Sequence, residues 1–333
     1  MKLDRFFCLS ITILICSLTI TGCETVDQQI AKQQIKQPIK LQLRFAENDT
    51  TTYKLISENA RTVNFVGPLS KKASVKGGYT GAKVEMIFDQ KITSIDENGD
   101  AIAVITLKEL TYLSKVKDKL SLSFDIIKDK DRNAVMAKLI GQTYKIKISP
   151  DGKITKVIDA KNIKHILQSS PVAKYSAQTL FSKKAIQRRH GVSALENIKE
   201  PLQVGSTWSN IKTFPFGFIM GTKSYEKIYK LKEVKDSEGK KLAIVEMKAI
   251  PTLNVDEQND QQMLIGTFQD MLDSTEKYTG YLEFDINSGK VQKYFEKMDS
   301  KWVMVDPDAK PENENPSAIR MGVIDYISIE KID

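Results

Sequence analysis

The sequence predicts a mainly β protein: two related antiparallel β modules forming a curved sheet or half-barrel, joined by a central helical connector. Three observations predict it. From Leu41 onward, apolar and polar residues alternate with period two through most of the chain, the pattern of strands buried on one face. Turn signals recur between those runs, chiefly Asn98-Gly99, Asp151-Gly152, Glu238-Gly239 and Ser288-Gly289, where glycine supplies the positive φ that tight hairpins need. In the middle of the chain the period changes to that of a helix, with Ile163, Ile166 and Leu167 on one face.

A different kind of segment precedes the first strand. Lys2 and Arg5 lead into an apolar run over residues 6–20, broken only by Ser and Thr apart from its cysteines. It is too short and too polar for a membrane span, which takes about 20 apolar residues. Ile20-Thr21-Gly22-Cys23 closes it, and small residues at the end of such a run form a cleavage signal of the secretory kind. The motif resembles the lipobox of bacterial lipoproteins. That resemblance implies that residues 1–22 are a leader and that Cys23 becomes the new N-terminus, carrying a diacylglyceryl thioether and an N-acyl chain. Two or three chains anchor firmly where one binds marginally, since each buried CH₂ adds about 0.8 kcal/mol. By the rule for Gram-negative lipoproteins, Glu24 in place of Asp favours passage to the outer membrane, facing the periplasm. Residues 23–38, rich in Gln and Lys, read as the lipidated tether.

The 333 residues carry 50 Lys and Arg against 42 Asp and Glu, a net +8. Losing Lys2, Asp4 and Arg5 with the leader leaves +7. The excess is spread as single lysines between apolar residues, the habit of solvated strand faces, and nucleic acid is not an expected partner of an exported, tethered protein. Of three cysteines, Cys8 and Cys16 lie in the leader. Cys23 alone remains, which excludes a disulfide, a cysteine metal site and a thiol nucleophile from the mature domain.

The first module spans residues 39–160. Leu41, Leu43 and Phe45 alternate as a strand, and Tyr53, Leu55, Val63 and Phe65 continue the pattern. Residues 67–81 read as a loop from their Gly, Pro and Lys content. A hairpin follows over 83–95 and 101–110, then a strand at 120–126, then a hairpin over 142–148 and 153–158. The connector, residues 161–200, holds one helix around Ile163–Leu167 and a second opened by Ser170-Pro171. Residues 183–189 read as a basic surface run. His190 reads as a cation at a helix C-terminus.

The second module, residues 201–333, opens with Val204-Gly205-Ser206-Thr207-Trp208. It continues with a hairpin over 223–234 and 241–250, a helix-spaced Met/Phe stripe over 262–272, a hairpin over 278–286 and 290–298, and a closing strand at 320–332. Setting Gly99 on Gly239 aligns residues 102–108 with 242–248, and Gly152-Lys153-Ile154 then falls near Gly289-Lys290-Val291. That order is the mark of a duplicated β unit.

Together the lipobox, these hairpins and the Val-Gly-x-x-Trp motif at 204–208 resemble a family of bacterial envelope lipoproteins without an established activity. In outline they are similar to the half-barrel carriers that shuttle lipids or lipoproteins across the periplasm. The resemblance implies a non-enzymatic lipoprotein in the bacterial envelope. Its partners would be the bilayer, through acylated Cys23, and either a hydrophobic ligand or an envelope protein. A structural or assembly scaffold is the alternative, and an enzyme the third reading.

No nucleophile motif and no cofactor motif is present, and no cofactor or metal is expected. Asp129-Lys130-Asp131 begins like a calcium loop but has Ala134 where glycine belongs and Ile140 where a bidentate Glu belongs. The candidate apolar ligand face is Trp208, Phe214, Phe216 and Phe218, the last three rings on one side of an extended segment. The same rings are also what a module core would require.

Overall fold

The computed structural model describes residues 38–71, 76–128, 131, 134–217, 221–252, 273–305 and 316–332. The leader, Cys23 and the tether lie outside these residues, as do the Met/Phe stripe and Phe218. Among the described residues no helix is long and apolar enough to cross a membrane.

Period-two alternation produces one antiparallel sheet. Its strands are β1 (Thr50–Val66), β2 (Gly78–Ile95), β3 (Ala101–Val116), β4 (Lys119–Asp125), β5 (Thr143–Ile148) and β6 (Ile154–Asp159) in the first half. The second half contributes β7 (Thr207–Gly217), β8 (Gly221–Ser237), β9 (Lys240–Thr252), β10 (Asp273–Asp285), β11 (Lys290–Val305) and β12 (Ala318–Lys331). Their order is β6-β5-β3-β2-β1-β12-β11-β10-β9-β8-β7, with β4 beside the far end of β3. The order β6-β5-β3-β2-β1 is thus repeated as β11-β10-β9-β8-β7. Between the two passes stands β12, antiparallel to both β1 and β11. The hairpins aligned through Gly99 and Gly239 occupy matching places in the two passes.

The turns follow their residues. Glu238 and Gly239 take φ of 51° and 75°, positive at both positions as a two-residue hairpin requires to match strand twist. In the longer β2–β3 turn, the Asp96 carboxylate accepts the backbone N–H groups of Asn98 and Asp100 at 2.9 and 3.1 Å.

Among the described residues, three α-helices cross the inner face of the sheet: α1 (Lys161–Gln168), α2 (Ser176–Phe181) and α3 (Lys183–His190). Ser182 starts α3, its Oγ accepting the Ala185 N–H at 3.2 Å, an ordinary serine N-cap. Their buried residues, including Ile163, Leu167, Leu180, Phe181 and Ile186, join one core cluster. That cluster runs through Leu55, Phe88 and Leu107 of the first half and Leu282, Phe284 and Tyr294 of the second.

Four expectations change. Residues 41–45 form no strand. They cross the ends of two hairpins, Leu43 N–H donating to Pro150 O at 2.8 Å and Arg44 N–H to Gly289 O at 3.0 Å, so their alternation reflects one-sided packing without ladder pairing. The 67–81 loop is shorter than expected, because β2 begins at Gly78. Gly81 belongs to that strand, where a Cβ would stand 2.5 Å from the Ala60 Cβ. The helix expected after Pro171 begins only at Ser176. Finally, the basic run is at the surface only at its start, where Lys183 and Lys184 are exposed, and turns inward at its end. Arg189 is buried, its guanidinium donating to the carbonyls of Thr179 and Leu180 at the end of α2 and to Ser57 Oγ, a cation placed on orphan helix carbonyls. His190 is buried beside it.

Candidate functional site

The inner faces of β7, β8, β10 and β11 carry charge where alternation alone would place only apolar side chains. On β8 the inward row reads Lys223, Tyr225, Lys227, Tyr229, with the two tyrosines and Lys227 buried. Opposite them stand two carboxylates. Glu276 on β10 accepts from Lys223 Nζ and Tyr225 Oη, both at 2.7 Å, and from Trp302 Nε1 at 2.9 Å. Glu296 on β11 accepts from Lys227 Nζ at 3.0 Å, Ser193 Oγ at 2.6 Å, and the Tyr229 and Tyr278 hydroxyls at 2.8 Å each.

Electrostatics follow from these contacts. Burial pushes the Glu296 carboxyl up, but the Lys227 charge and the hydroxyl donors outweigh it and hold the group at about 2. Burial, and then the Glu296 charge, push the hydroxyls of Tyr229, Tyr278 and Tyr294 above their usual range. Ser193 Oγ gives its proton to Glu296, receives Lys227 Nζ at 2.7 Å and lies 2.8 Å from Tyr294 Oη. Through these contacts the cluster ties the turn after α3 to the second half of the sheet.

Beside this cluster the sheet curls until β7 faces β1 and β2 across a cavity of about 390 Å³. Ala82, Val84, Phe214 and Val323 supply its apolar wall, while α2 and α3 close the other side through Thr179, Lys184 and Arg188. A neighbouring cavity of about 310 Å³ reaches Glu296, Lys227 and Tyr278.

Of the four aromatic residues expected at a ligand face, Trp208 is packed into the core. It stacks on Tyr229 with centroids 5.6 Å apart, and its Nε1 donates to Ala194 O at 2.9 Å. Phe214 lines the larger cavity, edge-on to Tyr225 and Tyr278. The side chain of Phe216 and all of Phe218 lie outside the described residues. Between Trp208 and Phe214 the inward positions are Asn210 and Lys212. Sequence reasoning passed over the inward lysines, and the available signal was that Lys223 and Lys227 share parity with the tyrosines. Among the described residues, no three His, Cys, Asp or Glu side chains gather as a metal site.

No protein-family model and no curated protein matches this chain. A solved structure described as lipid–protein interactions in lipovitellin is 11% identical, with a TM-score of 0.42 over 87% of this chain and 26% of that one. This chain therefore spans about a quarter of the lipovitellin chain. DynF, from the dynemicin biosynthesis pathway of Micromonospora chersina, is 10% identical, with a TM-score of 0.16 over 86% of this chain and 85% of that one. Likeness at this level carries no functional argument.

Proposed function

We propose that this protein is a non-enzymatic lipoprotein of the bacterial envelope, held to the outer membrane through acylated Cys23 and facing the periplasm, that binds an apolar ligand in the trough between sheet and helices. The observation that carries the ligand reading is the 390 Å³ cavity with Ala82, Val84, Phe214 and Val323 along one wall. Its size is that of a small-molecule site, and such sites are mainly apolar with a few placed polar groups. The lipobox and the tether over residues 23–38 support the anchor.

Uptake of the apolar fluorophore N-phenyl-1-naphthylamine tests this reading. Wild type should enhance its emission. Ala82→Trp, which fills the cavity from β2, should weaken uptake at least tenfold while leaving the unfolding midpoint in place. No uptake by wild type, or equal uptake by a folded Ala82→Trp, would overturn it.

A protein partner, as for an assembly scaffold, is the second reading. It is favoured by a groove of about 390 Å³ on the outer face, lined by Ala60, Thr62, Tyr79, Gly322 and Ile324 among others. If wild type takes up no probe, that groove becomes the leading surface.

A further inference from the structure

The wall shared by the two inner cavities carries more positive charge than the protein neutralises. Lys184, Arg188, Lys212 and Asp325 line both cavities. Arg188 and Asp325 pair with each other. Arg188 also donates to Tyr326 O at 3.1 Å, and Asp325 Oδ1 also accepts from Asn59 Nδ2 at 3.2 Å. That carboxylate is therefore already engaged. Among the described residues, neither Lys184 nor Lys212 has a carboxylate within ion-pair range.

Lys212 is the more telling of the two. It is half-buried on β7, with its ammonium 5.7 Å from the centre of the Phe214 ring. Burial depresses its pKa, with the Asp325 charge opposing. A partly desolvated cation without a carboxylate is costly to keep, and an anion that hydrogen-bonds to it recovers that cost. Lys184, exposed on α3, adds a second positive charge at the rim. The apolar wall of Val84, Phe214 and Val323 belongs to the same cavity.

We propose that the ligand is an anionic single-chain amphiphile. Its phosphate-class head group is seated on Lys212 and Lys184, and its chain is laid against Val84, Phe214 and Val323. This rests on the ligand reading above and narrows it. A volume of about 390 Å³ limits the tail to one chain. The head group could reach this wall as part of a lipid or as free phosphate, and the two sources are separable.

The test titrates the purified protein, below the micellar concentration, with dodecyl phosphate, dodecyldimethylamine oxide and inorganic phosphate, each displacing N-phenyl-1-naphthylamine or read by calorimetry. Dodecyl phosphate should bind at least tenfold more tightly than the amine oxide, and inorganic phosphate far more weakly than either. Lys212→Met should remove most of that preference, weakening dodecyl phosphate far more than the amine oxide. Lys184→Met, at an exposed position that folding tolerates, should reduce it several-fold. Raised salt should weaken the phosphate ester selectively. Equal affinity for both amphiphiles overturns the anionic head group yet leaves the apolar trough standing. Binding of inorganic phosphate as tight as that of the ester overturns the amphiphile in favour of a free-anion site. Binding of none of the three overturns both this inference and the ligand reading beneath it.

Discussion

Lys227 Nζ lies 3.0 Å from Glu296 Oε1 on the inner face of the sheet, and both side chains are almost wholly withdrawn from solvent. The two residues stand on β8 and β11, with β9 and β10 between them, and meet because the sheet curls. Hydroxyls of Ser193, Tyr229 and Tyr278 complete the carboxylate. A buried pair satisfied in this way is held by its geometry and is intolerant of losing one member.

Lys227→Ala should therefore cost about 3–5 kcal/mol, because it leaves Glu296 charged and buried. The double variant Lys227→Met, Glu296→Leu should be clearly more stable than Lys227→Ala. Urea unfolding of the three proteins checks this. A loss below about 1 kcal/mol for Lys227→Ala would show that the pair does not brace the connector.

His190 sets a pH window. Its Nε2 lies 2.6 Å from Tyr144 Oη, Phe88 meets its ring edge-on, and burial, with the neighbouring Arg189 charge, lowers its pKa from 6.5 to about 3. The folded state thus holds the neutral ring. Its contribution is fully present above about pH 6.5 and is lost as pH falls toward 3. The bound on that loss is about 5 kcal/mol, from the size of the shift. Glu296 acts lower, its contribution present above about pH 4.5 and lost as pH falls toward 2. Between pH 6.5 and 4.5 the histidine dominates. His190→Gln keeps a partner for Tyr144 and should flatten stability across that interval. Thermal melts of both proteins at pH 7.5, 5.5 and 4.5 decide the matter, and an unchanged slope in the variant would rule the histidine out.

Cys23→Ala should block lipidation, so that the precursor accumulates or a soluble form appears. Detergent-phase partitioning reads this directly. A variant that partitions as wild type does would end the lipobox reading.

The strands were legible in the sequence because burial on one face enforces period two, and the hairpin turns because only certain residues accept positive φ. Gly239 at a two-residue turn and Ile163 with Leu167 on a helix face are local facts, governed by neighbours a few positions away. The tandem order was also within reach, since the intervals from Gly99 to Gly152 and from Gly239 to Gly289 are similar and each ends in a glycine turn between paired strands. What tertiary structure alone decided concerns side chains whose partners are distant in the chain. Lys227 and Glu296 are 69 residues apart, and a lysine in an alternating strand reads as outward until a carboxylate is found on the facing strand. Arg189 reads as surface until α2 ends beneath it and offers its carbonyls. Lys212 and Phe214 become the wall of a cavity only when β7 curls over β1 and β2. Periodicity reports which face a residue shares, whereas the energy of a buried charge depends on what lies opposite, and only the closed fold brings that partner into range.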